Sequence, residues 1–379
     1  MSTTKPPLLW LNVFIFSFSL AVAAIGTPLY AYFIGFDWTQ VAMLVVAFSY
    51  CGLSITAGYH RLWSHKTYEA NAVMRFIFAI GGAFALQNSI LHWSSDHRVH
   101  HRHVDNNDKD PYSAKMGFFY SHIGWMLREY QASRYTDYSN CRDLQKDKIV
   151  MWQDKYYGIL AIVTNFGFPL IFGVVHGDIW GALLLVGVVR LVLSHHTTFF
   201  INSLAHVWGS QPYSDKNTAR DNGILAYLTF GEGYHNYHHI FENDYRNGIR
   251  WWQFDPTKWL IKSCSYFGFT RKLRVSPEDR IEKARAKMQL VRLQAKLTAT
   301  SNANNCDVQA RIRLLEEEYE LLMSKISDYY AAKKRMVELK KKHLTKHYEN
   351  FEFMQQYNDM KLHLQEQRKS WKMLTAQYA

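Results

Sequence analysis

Eighteen histidines stand among the 379 residues, and fifteen of them precede residue 240. They are not scattered. His60-Arg-Leu-Trp-Ser-His65 reads H-x4-H, His97-Arg-Val-His100-His101 reads H-x2-H-H, and His235-Asn-Tyr-His238-His239 repeats the second pattern. On a helix, residues three and four apart share a face, so each H-x2-H-H presents three imidazoles in one direction. The H-x4-H pair is harder, because its members stand roughly 140° apart in an α-helix. That helix must end or bend at the site. A single histidine is usually a structural or surface residue, but eight in three boxes call for metal. Imidazole suits iron, copper, nickel and zinc alike, so ligand type does not choose among them. Eight ligands are too many for one ion, which implies two. Soluble carboxylate di-iron bundles use paired Glu-x-x-His motifs; the one match here, Glu232-Gly-Tyr-His235, lies inside the third box and has no mate.

The elements that carry these boxes are apolar. A spanning helix needs roughly 20 apolar residues, and four runs qualify, at about residues 8–35, 41–59, 157–175 and 179–200. Residues 6–60 contain no Lys or Arg, and neither does the turn at 176–178. The segments after the second run are rich in both. The positive-inside rule therefore predicts a multi-pass membrane protein whose metal site and both termini are cytoplasmic. A fifth run, 73–93, lies between the first two boxes. If it crossed the bilayer those boxes would face opposite compartments, so it is expected to pack at the interface. Arg75, Gln87 and Asn88 within it agree. The net charge of +12 fits a membrane-facing surface better than nucleic-acid binding, for which no motif is present. Cys51, Cys141, Cys264 and Cys306 show no C-x-x-C spacing and predict reduced thiols.

At the boxes the chain closely resembles the membrane acyl-CoA desaturases, the stearoyl-CoA desaturase family, over roughly residues 40–275. The likeness extends to Ile55-Thr-Ala-Gly58, Asp108-Lys-Asp-Pro111, Gly117-Phe-Phe119, Ser121-His-Ile-Gly-Trp125, Asn202-Ser203 with His206, and Gly231-Glu-Gly233. It implies an all-α fold of four transmembrane helices bearing a cytosolic helical cap with a di-metal site. A membrane desaturase domain would cover 1–275 and a cytosolic helical extension 276–379. It implies a ninth ligand, His206, and two iron ions, with zinc a substitute in overproduced protein. By position, His60, His65, His101 and His239, with Asn202 through water, would hold one ion. His97, His100, His206, His235 and His238 would hold the other. His92, His103, His122, His195 and His196 do not fit the pattern and are expected to serve as hydrogen-bonding neighbours.

The resemblance also implies dioxygen as co-substrate and two electrons from a separate donor protein (cytochrome b5-, ferredoxin- or reductase-like), since no His-Pro-Gly-Gly haem motif occurs. No side chain beyond the ligands is expected to act in catalysis. The product would be a cis double bond, at the delta-9 position, in a long-chain acyl-CoA or acyl-lipid. By family position Gln87, Trp93 and Thr198 set the bend of the substrate tunnel. Phe48 and Gly52, one turn apart, should stand at its methyl end, with Gly52 leaving room for a long tail. Asn88, Asp96 and Arg98 are expected near its entrance. Ser94-Ser95 replaces the Ala-Arg of some members, which removes a phosphate partner for coenzyme A and keeps acyl-phospholipid and acyl-carrier substrates open. A bacterial inner membrane, or the endoplasmic reticulum of a eukaryote, is the expected location.

Ile312, Leu315, Tyr319, Leu322, Ile326 and Tyr329 follow a 3-4 spacing in the extension, and Ser301–Asn305 reads as a break. A helical hairpin or coiled coil is expected, used for self-association through 306–379 or folded back on the cap. Two other functions are compatible with the boxes. One is a hydroxylase or alkane monooxygenase on the same scaffold, told apart by its alcohol product. The other is a non-catalytic metal-binding membrane sensor, told apart by its failure to consume oxygen.

Overall fold

The computed structural model describes residues 5–300, 306–341 and 349–378, and they are mostly helical with almost no sheet. Four helices are long and apolar enough to cross a membrane: α1 (Trp10–Phe33), α2 (Trp38–Ser64), α5 (Tyr157–His176) and α6 (Ile179–Val207). Between the two pairs lie α3 (Ala72–Phe84) and α4 (Ile90–His103). The chain after α6 carries α7 (His235–Ile240) and α8 (Pro256–Tyr266). The residues divide into two compact units, 1–210 with 216–275, and 211–215 with 276–379.

Local chemistry sets the ends of these helices. Asp37 caps α2 by accepting from the backbone of Thr39 and Gln40, while Gln40 returns a bond to the Asp37 N–H, a complete capping box. Asp178 caps α6, and it also accepts from Tyr30 Oη at 2.6 Å and Gln40 Nε2 at 2.7 Å. One carboxylate thereby joins the ends of α1, α2 and α6.

The apolar run 73–93 forms two helices rather than one. Leu86 and Asn88 adopt left-handed φ of 52° and 75°, and Ser89 starts α4 by accepting from the His92 N–H. The 13 residues of α3 make about 20 Å of helix, short of the roughly 30 Å hydrocarbon core. Arg190, fully buried in α6, fastens α3 to the spans. It donates to Phe84 O at 2.6 Å and Asn165 Oδ1 at 2.8 Å.

The second unit is a bundle of α9 (Glu278–Thr300), α10 (Cys306–Lys341) and α11 (Glu349–Tyr378). Leu290, Leu293, Leu315, Leu322, Ile326, Leu364 and Trp371 form its core, with Ile312, Tyr319 and Tyr329 packed at its edge. The whole 3-4 stripe of α10 is thus spent inside its own unit. Arg368 pairs with Glu282, and Trp371 Nε1 donates to Gln289 Oε1 at 2.8 Å. The break read at 301–305 lies outside the described residues.

Candidate metal centre

His60 and His65 both reach the centre because the end of α2 is not α-helical. Ser54–Ser64 winds as a π-helix, and the His65 N–H donates to His60 O, five residues back, at 3.1 Å. An i→i+5 winding stacks residues five apart on one side of the helix. The two rings meet edge to face with centroids 4.9 Å apart. The helix ends at Ser64, as the α-helical spacing required, and it reaches that end with a changed pitch.

His97, His100 and His101 come from the last turns of α4, and His235, His238 and His239 from the short α7. His206 lies just before the end of α6, in the four-residue turn Leu204–Val207. The nine imidazoles form two groups: His60, His65, His97, His101 and His238, and His100, His206, His235 and His239. This division differs from the one carried over by position. His97 and His238 join the first group and His239 the second, because α4 and α7 each offer both groups a ring.

The fit to metal can be tested on the geometry. Nε2 atoms face one another at 3.0 Å (His60–His238), 2.8 Å (His65–His97), 3.0 Å (His238–His101), 3.1 Å (His235–His206) and 3.0 Å (His239–His235). Two nitrogens each about 2.1 Å from one ion, at right angles, lie about 3.0 Å apart. Burial, reinforced by neighbouring imidazoles, holds His65, His97, His235, His238 and His239 well below the ordinary histidine range. His101 is pushed down to about 4 by burial, against the pull of Glu242. Neutral rings with lone pairs turned toward each other repel unless cations lie between them, and neutral imidazole is the metal-binding form. The residues fit two ions.

Several Nδ1 atoms are held from behind, which fixes the tautomer and aims Nε2 inward. His60 Nδ1 meets Glu232 Oε2 at 2.9 Å, His100 Nδ1 meets Asp110 Oδ1 at 2.8 Å, and His101 Nδ1 meets Glu242 Oε2 at 3.2 Å. Glu232 belongs to a buried network: it accepts from Arg61 Nη2 at 2.8 Å and from Asn247 Nδ2 at 2.6 Å, while Arg61 also pairs with Asp255. Burial alone would raise the Glu232 carboxyl, but His60 and Arg61 bring it down to about 2.

A cavity of about 470 Å³ lies beside the centre. Gln87, Asn88, Trp93, Asp96, Thr198 and Asn202 line it, as do residues 8–12 at the start of α1. Gln87 Nε2 donates to Thr198 Oγ1 at 2.8 Å. Trp93 stacks on the His97 ring, centroids 4.9 Å apart, so the cavity wall and the first histidine group touch.

Three expected substrate residues stand elsewhere. Arg98 is not in the lining; it donates to Ser64 O, Trp63 O, Asn140 O and the Asp143 carboxylate, clamping α4 against the end of α2. Phe48 and Gly52 are also absent from the lining. A Cβ at Gly52 would run into the Phe230 ring, whose centroid packs 5.3 Å from that of Phe48. The room at Gly52 is occupied by Phe230. Asp96 does line the cavity, but it is bound by Arg134 through two hydrogen bonds, Nε to Oδ1 at 2.9 Å and Nη2 to Oδ2. Sequence reading missed Arg134, Tyr112 and residues 8–12, since nothing local in the chain marks them as neighbours of the boxes. The histidines set aside as neighbours do bond one another and the backbone: His122 Nε2 meets His196 Nδ1 at 3.0 Å, and His195 Nε2 meets Leu86 O at 3.1 Å.

Fold and site together define a helical membrane protein with a buried cluster of imidazoles in two groups, each able to hold a metal ion. The model of the fatty acid desaturase family matches residues 36–271, and the chain belongs to that family. It is 48% identical over 240 residues to a probable acyl-CoA desaturase of Schizosaccharomyces pombe, covering 63% of this chain and 50% of that protein. It is 34% identical over 297 residues to stearoyl-CoA desaturase 5 of Bos taurus, covering 75% and 84%. It is also 34% identical over 278 residues to an sn-2 palmitoyl-lipid 9-desaturase of a Nostoc species, covering 72% and 93%. The chain therefore spans about half the length of the fission yeast relative.

Proposed function

We propose that this protein is a dioxygen-dependent long-chain acyl desaturase, with iron at both histidine groups, forming a cis double bond at the ninth carbon of an acyl-CoA or acyl-lipid. The observation that carries the proposal is the contact between cavity and centre, where Trp93 is at once cavity wall and stacking partner of His97. Similarity to acyl-CoA desaturases supports the acyl substrate, and similarity to the Nostoc 9-desaturase supports the ninth-carbon position.

A mid-chain methylene has no acidic proton, so its hydrogens must leave by oxidation. Bound iron would supply the oxidising power drawn from dioxygen; overall, two substrate hydrogens, dioxygen, two external electrons and two protons give an alkene and two waters. The chain's own residues bind and orient. The apolar wall formed by Phe16, Leu86, Trp93 and Phe199 holds an extended hydrocarbon and excludes water. The Gln87–Thr198 bridge crosses that wall and fixes where the chain bends. Glu232, Asp110 and Glu242 keep the ligand rings in one tautomer. The basic segments flanking the spans favour a cytoplasmic cap, where a separate electron-donor protein would reach it.

Expression in a desaturase-deficient host, followed by location of new double bonds by mass spectrometry, tests the proposal. Growth without unsaturated supplement and a new cis-9 alkene are expected. Alcohol products in place of alkene, or unchanged lipids from a metal-loaded protein, would overturn it.

A further inference from the structure

The two histidine groups are braced differently. The first group draws its braces from separate parts of the chain: Glu232 behind His60, Glu242 behind His101, and the Tyr112 hydroxyl 3.3 Å from His97 Nδ1. In the second group, braces on two of the four rings trace to one short loop, 105–110. Asp110 Oδ1 holds His100 Nδ1 directly at 2.8 Å. His206 is reached in two steps: its Nδ1–H donates to Thr218 Oγ1 at 2.8 Å, and Thr218 Oγ1–H donates to Asp105 Oδ1 at 2.6 Å. The Thr218 backbone N–H donates to the other Asp105 oxygen at 2.8 Å, so both carboxylate oxygens are engaged. The loop closes on itself through the Asp105 N–H and Asp110 Oδ2 at 3.0 Å. Asp105 adopts a φ of 66°, a left-handed conformation that aspartate tolerates better than most residues.

The direction of these bonds matters. A hydroxyl has a single proton. With that proton committed to the Asp105 carboxylate, Thr218 Oγ1 can only accept from His206, and so keeps the His206 proton on Nδ1 and its lone pair on Nε2. Without Asp105 the hydroxyl can turn and donate to Nδ1, which would place the proton on Nε2, the nitrogen that faces His235.

We propose that Asp105 and Thr218 are positioning residues that set the metal affinity of the second group independently of the first. The inference rests on the reading of the nine histidines as metal ligands. It assigns to the 105–110 loop and to Thr218, neither of which supplies a ligand, control over one ion of the pair.

The test uses the full-length protein in detergent, loaded with zinc and then titrated with a chelator while bound metal is counted by elemental analysis. Thr218→Val keeps the shape but removes the acceptor. It should release one ion at a roughly 10- to 100-fold lower chelator concentration, the cost typical of losing such a partner, with the second ion retained as in the parent. The retained ion reports that the fold is intact. Thr218→Ser should restore both ions. Added to His206→Ala, Thr218→Val should cause no further loss, because it acts through that ring. Two ions held with parental resistance in Thr218→Val, equal loosening of both, or no rescue by serine overturns the inference while leaving the metal centre in place. A parent protein that takes up no metal overturns the centre itself.

Discussion

Replacing Glu232 with glutamine is the sharpest perturbation of the first histidine group, because it changes one atom of a carboxylate that four donors face. The carboxylate accepts from Asn247 Nδ2 at 2.6 Å and from Arg61 Nε and Nη2 at 3.2 and 2.8 Å, and His60 Nδ1 lies 2.9 Å from it. All four partners donate, and a carboxylate can accept from all of them. An amide cannot. Its oxygen would stay with Arg61, the charged donor, which leaves the NH2 group facing His60 Nδ1 and Asn247. Asn247 can turn its oxygen round. His60 can respond only by moving its proton to Nε2, the atom directed at His238, and a protonated nitrogen cannot ligate. The first ion should therefore bind about 10- to 100-fold more weakly, or about 1.4–2.7 kcal/mol at 1.36 per decade. Folding stability should also fall. Breaking a buried pair costs about 3–5 kcal/mol, and the lower end applies because Arg61 keeps Asp255. Chelator titration reads the first effect, and denaturant unfolding of the metal-free protein in detergent reads the second. Glu232→Ala, which offers His60 no competing donor, should lose less metal affinity than glutamine relative to its loss of stability. If glutamine and alanine weaken the ion equally, the tautomer reasoning is refuted.

Gly52→Ala should destabilise by about 1–3 kcal/mol through overpacking, because its new methyl meets the Phe230 ring. Phe230→Leu in the same chain should recover part of that loss, whereas strictly additive melting shifts would contradict the contact. Gln87→Leu removes the bridge to Thr198, worth about 0.5–1.5 kcal/mol. Turnover should drop by roughly 2- to 10-fold with the double bond spread over neighbouring carbons, and an unchanged product pattern would argue against a role in bending the chain. Arg98 and Lys66 outweigh burial and hold the Asp143 carboxyl well below its usual range. Its contribution is present above the ordinary carboxylate value near 3.8 and lost as pH falls further. The stability gap between the parent and Asp143→Asn should thus be largest near neutral pH and close on acidification; a gap that stays constant down to the acid limit would refute it. Leu322→Ala, at the centre of the second unit, should cost about 2–5 kcal/mol in local hydrogen-exchange protection there. The association state should not change, and a shift to dissociated protein would show that the stripe serves an interface.

Membership of the metal centre was legible in the sequence because it depends on short-range periodicity. Three imidazoles at i, i+3 and i+4 share a helix face whatever the rest of the chain does, and 20 apolar residues cross a bilayer on length alone. The α-helical angle between His60 and His65 demanded that their helix end or bend, and it ends at Ser64; the π-winding that brings both rings to the centre is a tertiary outcome, in which all of Ser54–Ser64 is buried. The sorting of nine rings into five and four was beyond sequence for a related reason: α4 and α7 each point rings at both groups, and only their mutual placement decides which. Arg98 and Arg134 make the point for charge. Arg98 lies inside a box and Arg134 far from any, yet the fold uses the first to clamp backbone carbonyls and the second to neutralise Asp96 in the cavity wall. Gly52 shows it for volume, since a missing side chain is a vacancy only if no distant residue fills it, and Phe230 does. Spacing along one helix fixes directions, which the sequence alone determined here. Occupancy of space and pairing of charge depend on segments 34 to 194 residues apart, and those only the tertiary structure decided.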